Sequence, residues 1–276
     1  MYKQLFLRAC ITLMLLPACA ESLTLGHVLV ATKLHGLQDI VYEQKHGDAV
    51  VEGDIILQSL SKLHTSVARN PQALILLRLG GSTWANGLIP FKLSPDLPLA
   101  TKLAALDAMD ILQRNTHVIF IELTSGNRKL YPNYIVFVPV AGDHCSSFVG
   151  QQGGEQEIKL SARCNSMRTT HELGHALGLW HEQSRADRDN YIKILWENIN
   201  EDYRYNFSQH LSDSVDFAEY DYQSIMHYTA YAFSKNGKRT IEPLQENIYI
   251  GQRDNLSKKD IIAINAMYPA EYGSSI

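Results

Sequence analysis

Cysteine is scarce in this chain, with four residues in 276, too few to staple a scaffold of this length. The fold must therefore rest on a hydrophobic core, and a 45% hydrophobic composition can supply one. Charge is not in excess either. A net charge of −4 and a pI near 6.2 give no electrostatic basis for binding nucleic acid or an anionic membrane. Internal repeats and low-complexity tracts are missing, which leaves one domain of about 200 residues with an accessory segment as the natural division. No apolar run is long enough to span a bilayer. The nearest candidate, Ala9 to Leu16, is short, follows Lys3 and Arg8, and precedes Pro17-Ala18-Cys19-Ala20, the layout of an export signal cleaved before Glu21. Leu16-Pro17-Ala18-Cys19 also resembles a bacterial lipoprotein box, with Cys19 as the lipidated residue.

What the chain does have is the segment THELGHALGLWHEQSRADRD, from Thr170 to Asp189. On a helix, His171 and His175 stand one turn apart on the same face and can reach one cation. Glu172 is placed to act as general base toward a water on the open side of that cation. Gly178 allows the helix to stop and turn, returning His181 as a third ligand. Three neutral nitrogens leave one position open, which is the donor set of a catalytic zinc ion, one per chain. Structural zinc would call for a fourth ligand, usually cysteine. Downstream, Arg185, Asp187, Arg188 and Asp189 alternate in sign and are expected to brace a turn as an ion-pair network.

Ser224-Ile225-Met226-His227-Tyr228 supplies a later methionine-containing turn, and an H-E-x-x-H-x-x-G-x-x-H motif followed by such a turn marks the metzincins. With Glu182 after the third histidine and Tyr228 after the Met turn, the chain closely resembles the astacin family. The resemblance runs from TWANGLIPFKLSP near Trp84, through CSSFVGQQGGEQEIKLSARC and YDYQSIMHYTAYAFSKNGKRTI, to IGQRDNLSKKDIIAINAMYP. It implies an exported zinc endopeptidase acting on protein or peptide substrates. His171, His175 and His181 match the family's zinc ligands, and Glu172 matches its base. Tyr228 matches a mobile fifth ligand that later stabilises an oxyanion, and Met226 an apolar floor beneath the site. Glu182 matches the acid that holds the new N-terminus of the mature form.

The same resemblance pairs Cys145 with Cys164. If the signal is removed, these are the two cysteines left in an oxidising compartment, and a disulfide between them adds about 3 kcal/mol in the loop-entropy account. The family's second disulfide has no counterpart, because His117 and Pro269 stand at the corresponding positions. The C-terminal helix is thus expected to dock by packing alone. Val51-Glu52-Gly53-Asp54-Ile55 resembles the family's propeptide motif, in which Asp54 would ligate the zinc of a latent form. An ordinary turn aspartate between two apolar strands is the alternative. His46 and His64 are expected to face solvent. These readings divide the chain into a signal peptide (1–20), a propeptide-like inhibitory segment (21–75) and a catalytic domain (76–276), with processing between about Arg69 and Ser82.

The expected architecture is α+β: a metzincin domain with a twisted mixed sheet and the active-site helix above the cleft, over a largely irregular half that ends in a helix. Leu99, Leu103, Leu106, Met109 and Leu112 recur at helical spacing. His117 to Leu123, Asn133 to Val140 and Glu155 to Leu160 read as strands; the resemblance implies that the last is the exposed edge along which an extended substrate pairs, with simple internal sheet pairing as the alternative. Ser257 and Asp260 form a capping box ahead of a final helix with Ile261, Ile262, Ile264 and Met267 as its buried side. The chain then ends, so accessory modules are not expected, and the protein should act as a monomer. Family preference for an acidic residue after the scissile bond needs a basic wall residue, for which Lys238, Arg239 and Arg253 are candidates. A serralysin-like enzyme would place a proline or another residue where Glu182 stands. A catalytically silent binding module would have lost the base or a ligand, and all four are intact.

Overall fold

The computed structural model describes residues 23–32, 36–63, 81–210 and 214–270. The segment expected to be an export signal, with Cys19, together with His64 and the expected processing region around Arg69 and Arg78, lies outside these residues.

The N-terminal segment forms a four-stranded antiparallel sheet in the order β1 (Leu25–Thr32), β2 (Gly36–Lys45), β3 (Asp48–Val51) and β4 (Ile55–Ser59). His46 and Gly47, with φ of 49° and 84°, make the two-residue turn between β2 and β3, a conformation that matches the twist of the flanking strands. Glu52, Gly53 and Asp54 form the loop between β3 and β4, with Val51 opposite Ile55. Gly53 suits its place twice over: its φ is 78°, and a Cβ there would lie 2.9 Å from the Phe233 ring. Asp54 is therefore a turn aspartate, and its side chain also enters the cleft of the following domain. Val28, Tyr42, Ala49, Val51, Ile55 and Leu63 build a small core that Val149 and Trp180 of that domain close.

In that domain, β5 (Leu88–Leu93), β6 (Ile119–Glu122), β7 (Tyr134–Pro139), β8 (Cys145–Ser146) and β9 (Glu155–Leu160) form a mixed sheet ordered β6-β5-β7-β9-β8. All pairs are parallel except β8 with β9. The segments His117 to Leu123 and Asn133 to Val140 do form strands, each trimmed at both ends. Glu155 to Leu160 is a strand but not the edge: β9 is paired on both sides, with β7 and with β8. The edge on that side of the sheet is β8, a return strand of two residues, too short to announce itself by alternation. The Cys145–Cys164 disulfide ties that edge to the turn before the active-site helix.

Helix α1 (Leu99–Asn115) packs against α2 (Ser166–Leu177). It buries Thr101, Ala105, Ala108, Met109 and Leu112, whereas Leu99, Leu103 and Leu106 are 72%, 57% and 43% exposed. The leucine stripe is therefore right only at its C-terminal end. Small side chains, Ala105 and Ala108, face inward because they let two helices approach closely.

The capping box at Ser257 and Asp260 opens α3 (Lys258–Met267) as expected. Ile264 is fully buried, Ile261 and Met267 pack against the core in part, and Ile262 is exposed. Packing is not all that docks this helix. The His117 backbone N–H donates to Asn265 Oδ1 at 2.9 Å, its Nδ1 lies 3.2 Å from the Tyr268 carbonyl, and the buried Tyr268 hydroxyl donates to the Leu177 carbonyl at 2.8 Å. Polar contacts thus stand where the family's second disulfide would be. The lower half is mostly short 3-10 turns, with one pair of strands, β10 (Ile192–Ile194) and β11 (Ile241–Pro243), and a core that includes Ile199, Phe207, Tyr220 and Tyr228.

Candidate metal and catalytic site

Helix α2 starts at Asn165, whose side chain accepts from the Arg168 N–H, and ends at Gly178 in the left-handed region, with φ of 116°. That stop lets the chain double back and deliver His181 to the face carrying His171 and His175, all three buried. The Nε2 atoms of His171 and His181 are 3.3 Å apart, close to the edge of a tetrahedron with metal bonds of about 2.0–2.1 Å. Asp54 approaches from the hairpin tip: Oδ2 is 3.3 Å from His171 Nε2, and Oδ1 is 3.2 Å from His181 Nε2 and 3.7 Å from His175 Nε2. These four ligand atoms lie within 4.8 Å of one another. His175 Nε2 and Asp54 Oδ1 are buried with no hydrogen-bond partner, an arrangement that a cation at their centre would satisfy. The donor set fits zinc.

The opposite ring nitrogens settle the tautomers. His171 Nδ1 donates to the Ile225 carbonyl and His175 Nδ1 to the Leu179 carbonyl, each at 2.8 Å. Carbonyls only accept, so Nε2 is left with a lone pair that faces the site. Burial also keeps these two imidazoles neutral, lowering the affinity of both for a second proton. His181 differs: burial alone would depress it, but the carboxylates of Asp54 and Glu52 lift it to about 9.

Glu172 shares a cavity of about 260 Å³ with Asp54, His171, Arg168 and Arg253. Burial, reinforced by the Asp54 charge, raises its carboxyl well above the ordinary range, and its Oε2 has no hydrogen-bond partner. Of the three basic candidates, Arg253 is the one that lines this cavity, donating to the carbonyls of His227 and Gln252 at 3.0 and 2.9 Å.

Met226 lies under the helix, so close that a Cβ on Gly174 would fall 2.8 Å from its sulfur. The turn around it is fixed by Asp260, whose role extends beyond the helix cap. Its carboxylate accepts from the Ser224 hydroxyl at 2.6 Å and from the backbone N–H groups of Ile225 and Ser257 at 2.9 Å. Asp260→Ala should therefore destabilise the domain by about 3 kcal/mol, since it strips buried donors of a charged acceptor. A urea midpoint unchanged from the parent would show that the turn holds itself.

Tyr228 is buried, with its backbone N–H on Gln183 Oε1 at 2.9 Å and its hydroxyl donating to the Glu52 carbonyl at 2.6 Å. Glu182 accepts from the Asp221 N–H at 2.7 Å and lies 3.4 Å from Arg185, while burial lifts its carboxyl to about 8. The expected ion-pair network forms: Arg185 is bidentate to Asp187 at 2.8 Å, and Arg188 meets Asp189 while donating to the carbonyls of Gln183 and Phe207.

Two features around the hairpin escape a reading of the motif alone. Glu52, two residues before Asp54, is buried and accepts from His181 Nδ1 at 2.7 Å through one oxygen and from His210 through the other. Although burial opposes its ionisation, His210 and His181 hold its carboxyl down at about 2. His46 is not simply solvent-facing, since it is half-buried against the His144 ring, and its carbonyl accepts from Lys159, which also pairs with Asp48 at 2.6 Å. The His46-Gly47 pair, a sequence suited to a tight positive-φ turn, is the signal that could have revealed this hairpin.

A family model for Astacin, a peptidase family, matches residues 78–269. Zinc metalloproteinase nas-13 of Caenorhabditis elegans is 39% identical over 188 residues, covering 67% of this chain and 40% of that protein. The mouse (Mus musculus) Astacin-like metalloendopeptidase is 35% identical over 235 residues, covering 82% of this chain and 49% of that protein, a match too long to fit within residues 78–276 alone. The match thus spans less than half the length of each of these two relatives. Among solved structures, High choriolytic enzyme 1, a hatching enzyme zinc-protease of the medaka fish Oryzias latipes, superposes with a TM-score of 0.61 at 35% identity, covering 69% of this chain and 94% of that one.

Proposed function

The chain belongs to the astacin family, and on that premise we propose that it is a zinc endopeptidase, exported as a latent form and acting as a monomer on protein or peptide substrates. The observation that carries this reading is the convergence of three histidine Nε2 atoms and the hairpin-borne Asp54 carboxylate on one point, beside Glu172.

His171, His175 and His181 would hold the zinc, which would supply Lewis acidity toward a carbonyl oxygen and toward water. Glu172 takes the proton of the attacking water and returns it to the leaving amine. Tyr228, once free of the Glu52 carbonyl, donates its hydroxyl to the developing oxyanion. No covalent acyl-enzyme is involved. The substrate lies along the open side of β8 and Ser147, where the hairpin now sits, with the Ile56 N–H on the Ser147 carbonyl at 2.8 Å and the Ser147 N–H on the Asp54 carbonyl at 3.0 Å. The hairpin pairs there in the parallel sense, opposite to an antiparallel substrate, so it fills the cleft without offering a peptide bond in the cleavable direction.

Residues 1–20 serve as the signal, 21–75 as the inhibitory segment and 76–276 as the catalytic domain. The Cys145–Cys164 disulfide suits an oxidising compartment, and no helix among the described residues is long and apolar enough to cross a membrane. Cutting between about Arg69 and Ser82 would withdraw the hairpin and create the N-terminus that Glu182 receives.

Arg253 makes an acidic residue after the scissile bond the preferred one. Arg253→Gln should lower kcat/KM for peptides carrying Asp at that position about 10–100-fold relative to Ala peptides, and equal losses on both would remove Arg253 from specificity. The broader test is cleavage of a diverse peptide library by zinc-loaded protein before and after limited proteolysis of the N-terminal segment. Cutting that follows processing and is abolished by a chelator supports the proposal. Silence from a folded, processed, zinc-bound sample would favour a binding module.

A further inference from the structure

A metal-bound histidine is oriented, and made a stronger donor, by whatever accepts its other ring N–H. For His171 and His175 those acceptors are the carbonyls of Ile225 and Leu179, both within the catalytic domain. For His181 the acceptor is the carboxylate of Glu52, which belongs to the N-terminal hairpin. It is the stronger of the two kinds of partner, being charged. It is also firmly aimed. Glu52 is buried, its φ of 48° places a non-glycine residue in the left-handed region, its second oxygen is held by His210, and the His210 ring packs at a tilt against Trp180, with 4.1 Å between ring centroids. A conformation of that kind is unfavourable for a residue with a Cβ and persists only where its surroundings enforce it.

We propose that Glu52 is a positioning residue for the metal, lent to His181 only while the hairpin is seated. The inference rests on the latent-form reading above and adds to it: the inhibitory segment also loads the site. Asp54 adds a ligand and Glu52 strengthens one that is already there, so the uncut chain binds zinc more tightly than the processed one. Processing removes both carboxylates and leaves His181 to find another acceptor. The segment thereby secures zinc before processing and relaxes its hold when the enzyme is set to work.

The test uses the full chain carrying Glu172→Ala, which prevents self-cleavage, and reads the zinc dissociation constant by competition with a chromogenic chelator. Glu52→Ala should weaken zinc binding about 10–100-fold, the range for loss of such a partner. Glu52→Gln, which keeps an acceptor of the same shape without the charge, should fall between Glu52→Ala and the parent. The Glu52 carbonyl that receives the Tyr228 hydroxyl is backbone and survives both changes, so the effect is not routed through Tyr228. Melting of the metal-free forms separates a merely structural role, which would lower the melting temperature and leave zinc affinity alone. If the alanine variant fails to fold, the isosteric glutamine variant decides. Zinc affinity within twofold of the parent in the folded Glu52 variants, with Asp54→Asn clearly weakened, would overturn the proposal and leave the latent reading standing. No loss of zinc affinity in Asp54→Asn would overturn the latent reading itself.

Discussion

Glu172→Gln in the processed protein should lower kcat/KM about 10²–10⁴-fold, the range associated with loss of general acid–base transfer, while zinc content and fold stay as they were. The substitution replaces one buried oxygen by an NH2 group and keeps the side chain's volume. It adds no cavity, and Glu172 Oε2 has no protein partner to lose. The exchange is isosteric, so stability should hold. A drop in activity with an unchanged melting curve and an unchanged zinc stoichiometry therefore isolates proton transfer. Activity within tenfold of the parent would mean that another group serves as base, and Asp54 would not be that group, because processing has removed it.

The zinc constellation was legible because its chemistry is written in local spacing: one turn separates His171 from His175, and a left-handed glycine lets His181 follow within six residues. The same holds for the capping box at Ser257 and the ion pair of Arg185 with Asp187, whereas the disulfide at Cys145 and Cys164 was legible from the cysteine count and the family resemblance. What escaped were relations across the fold. Whether Leu103 faces inward depends on how closely α1 approaches α2, and Ala105 and Ala108 decide that. Whether β9 is an edge depends on a two-residue partner that folds back through the disulfide. Asp260 reads as a cap, and only the fold brings the Met turn within reach of the same carboxylate. Glu52 and His181 are 129 positions apart, and no spacing rule connects them. The N-terminal sheet was within reach of a local reading, since His46-Gly47 between two strand-forming runs signals a tight hairpin. That signal places β2 and β3, but not the burial of Glu52 beside His181.

Asp54→Asn in the uncut chain, at saturating zinc, should raise peptide cleavage about tenfold or more above the parent's background. The carboxylate meets three histidine nitrogens within 3.7 Å, and its contribution is ionic: exchanging it for a neutral amide keeps the shape of the hairpin tip and removes the charge that competes for the metal's open position. Breaking one half of a buried ionic contact typically costs about 3–5 kcal/mol, ample for a shift of that size in how often the tip leaves the cleft. Full activity is not expected. The backbone pairing of Asp54 and Ile56 with Ser147, the Asp48–Lys159 pair and the Glu52 contacts remain, and each still ties the hairpin down. Asp48→Ala should therefore add to the effect of Asp54→Asn while doing little alone, because Lys159 lies away from the metal and its loss loosens the hairpin without opening the coordination sphere. An Asp54→Asn chain as silent as its parent, yet fully active once cut, would place latency in the pairing along β8 and not in the aspartate.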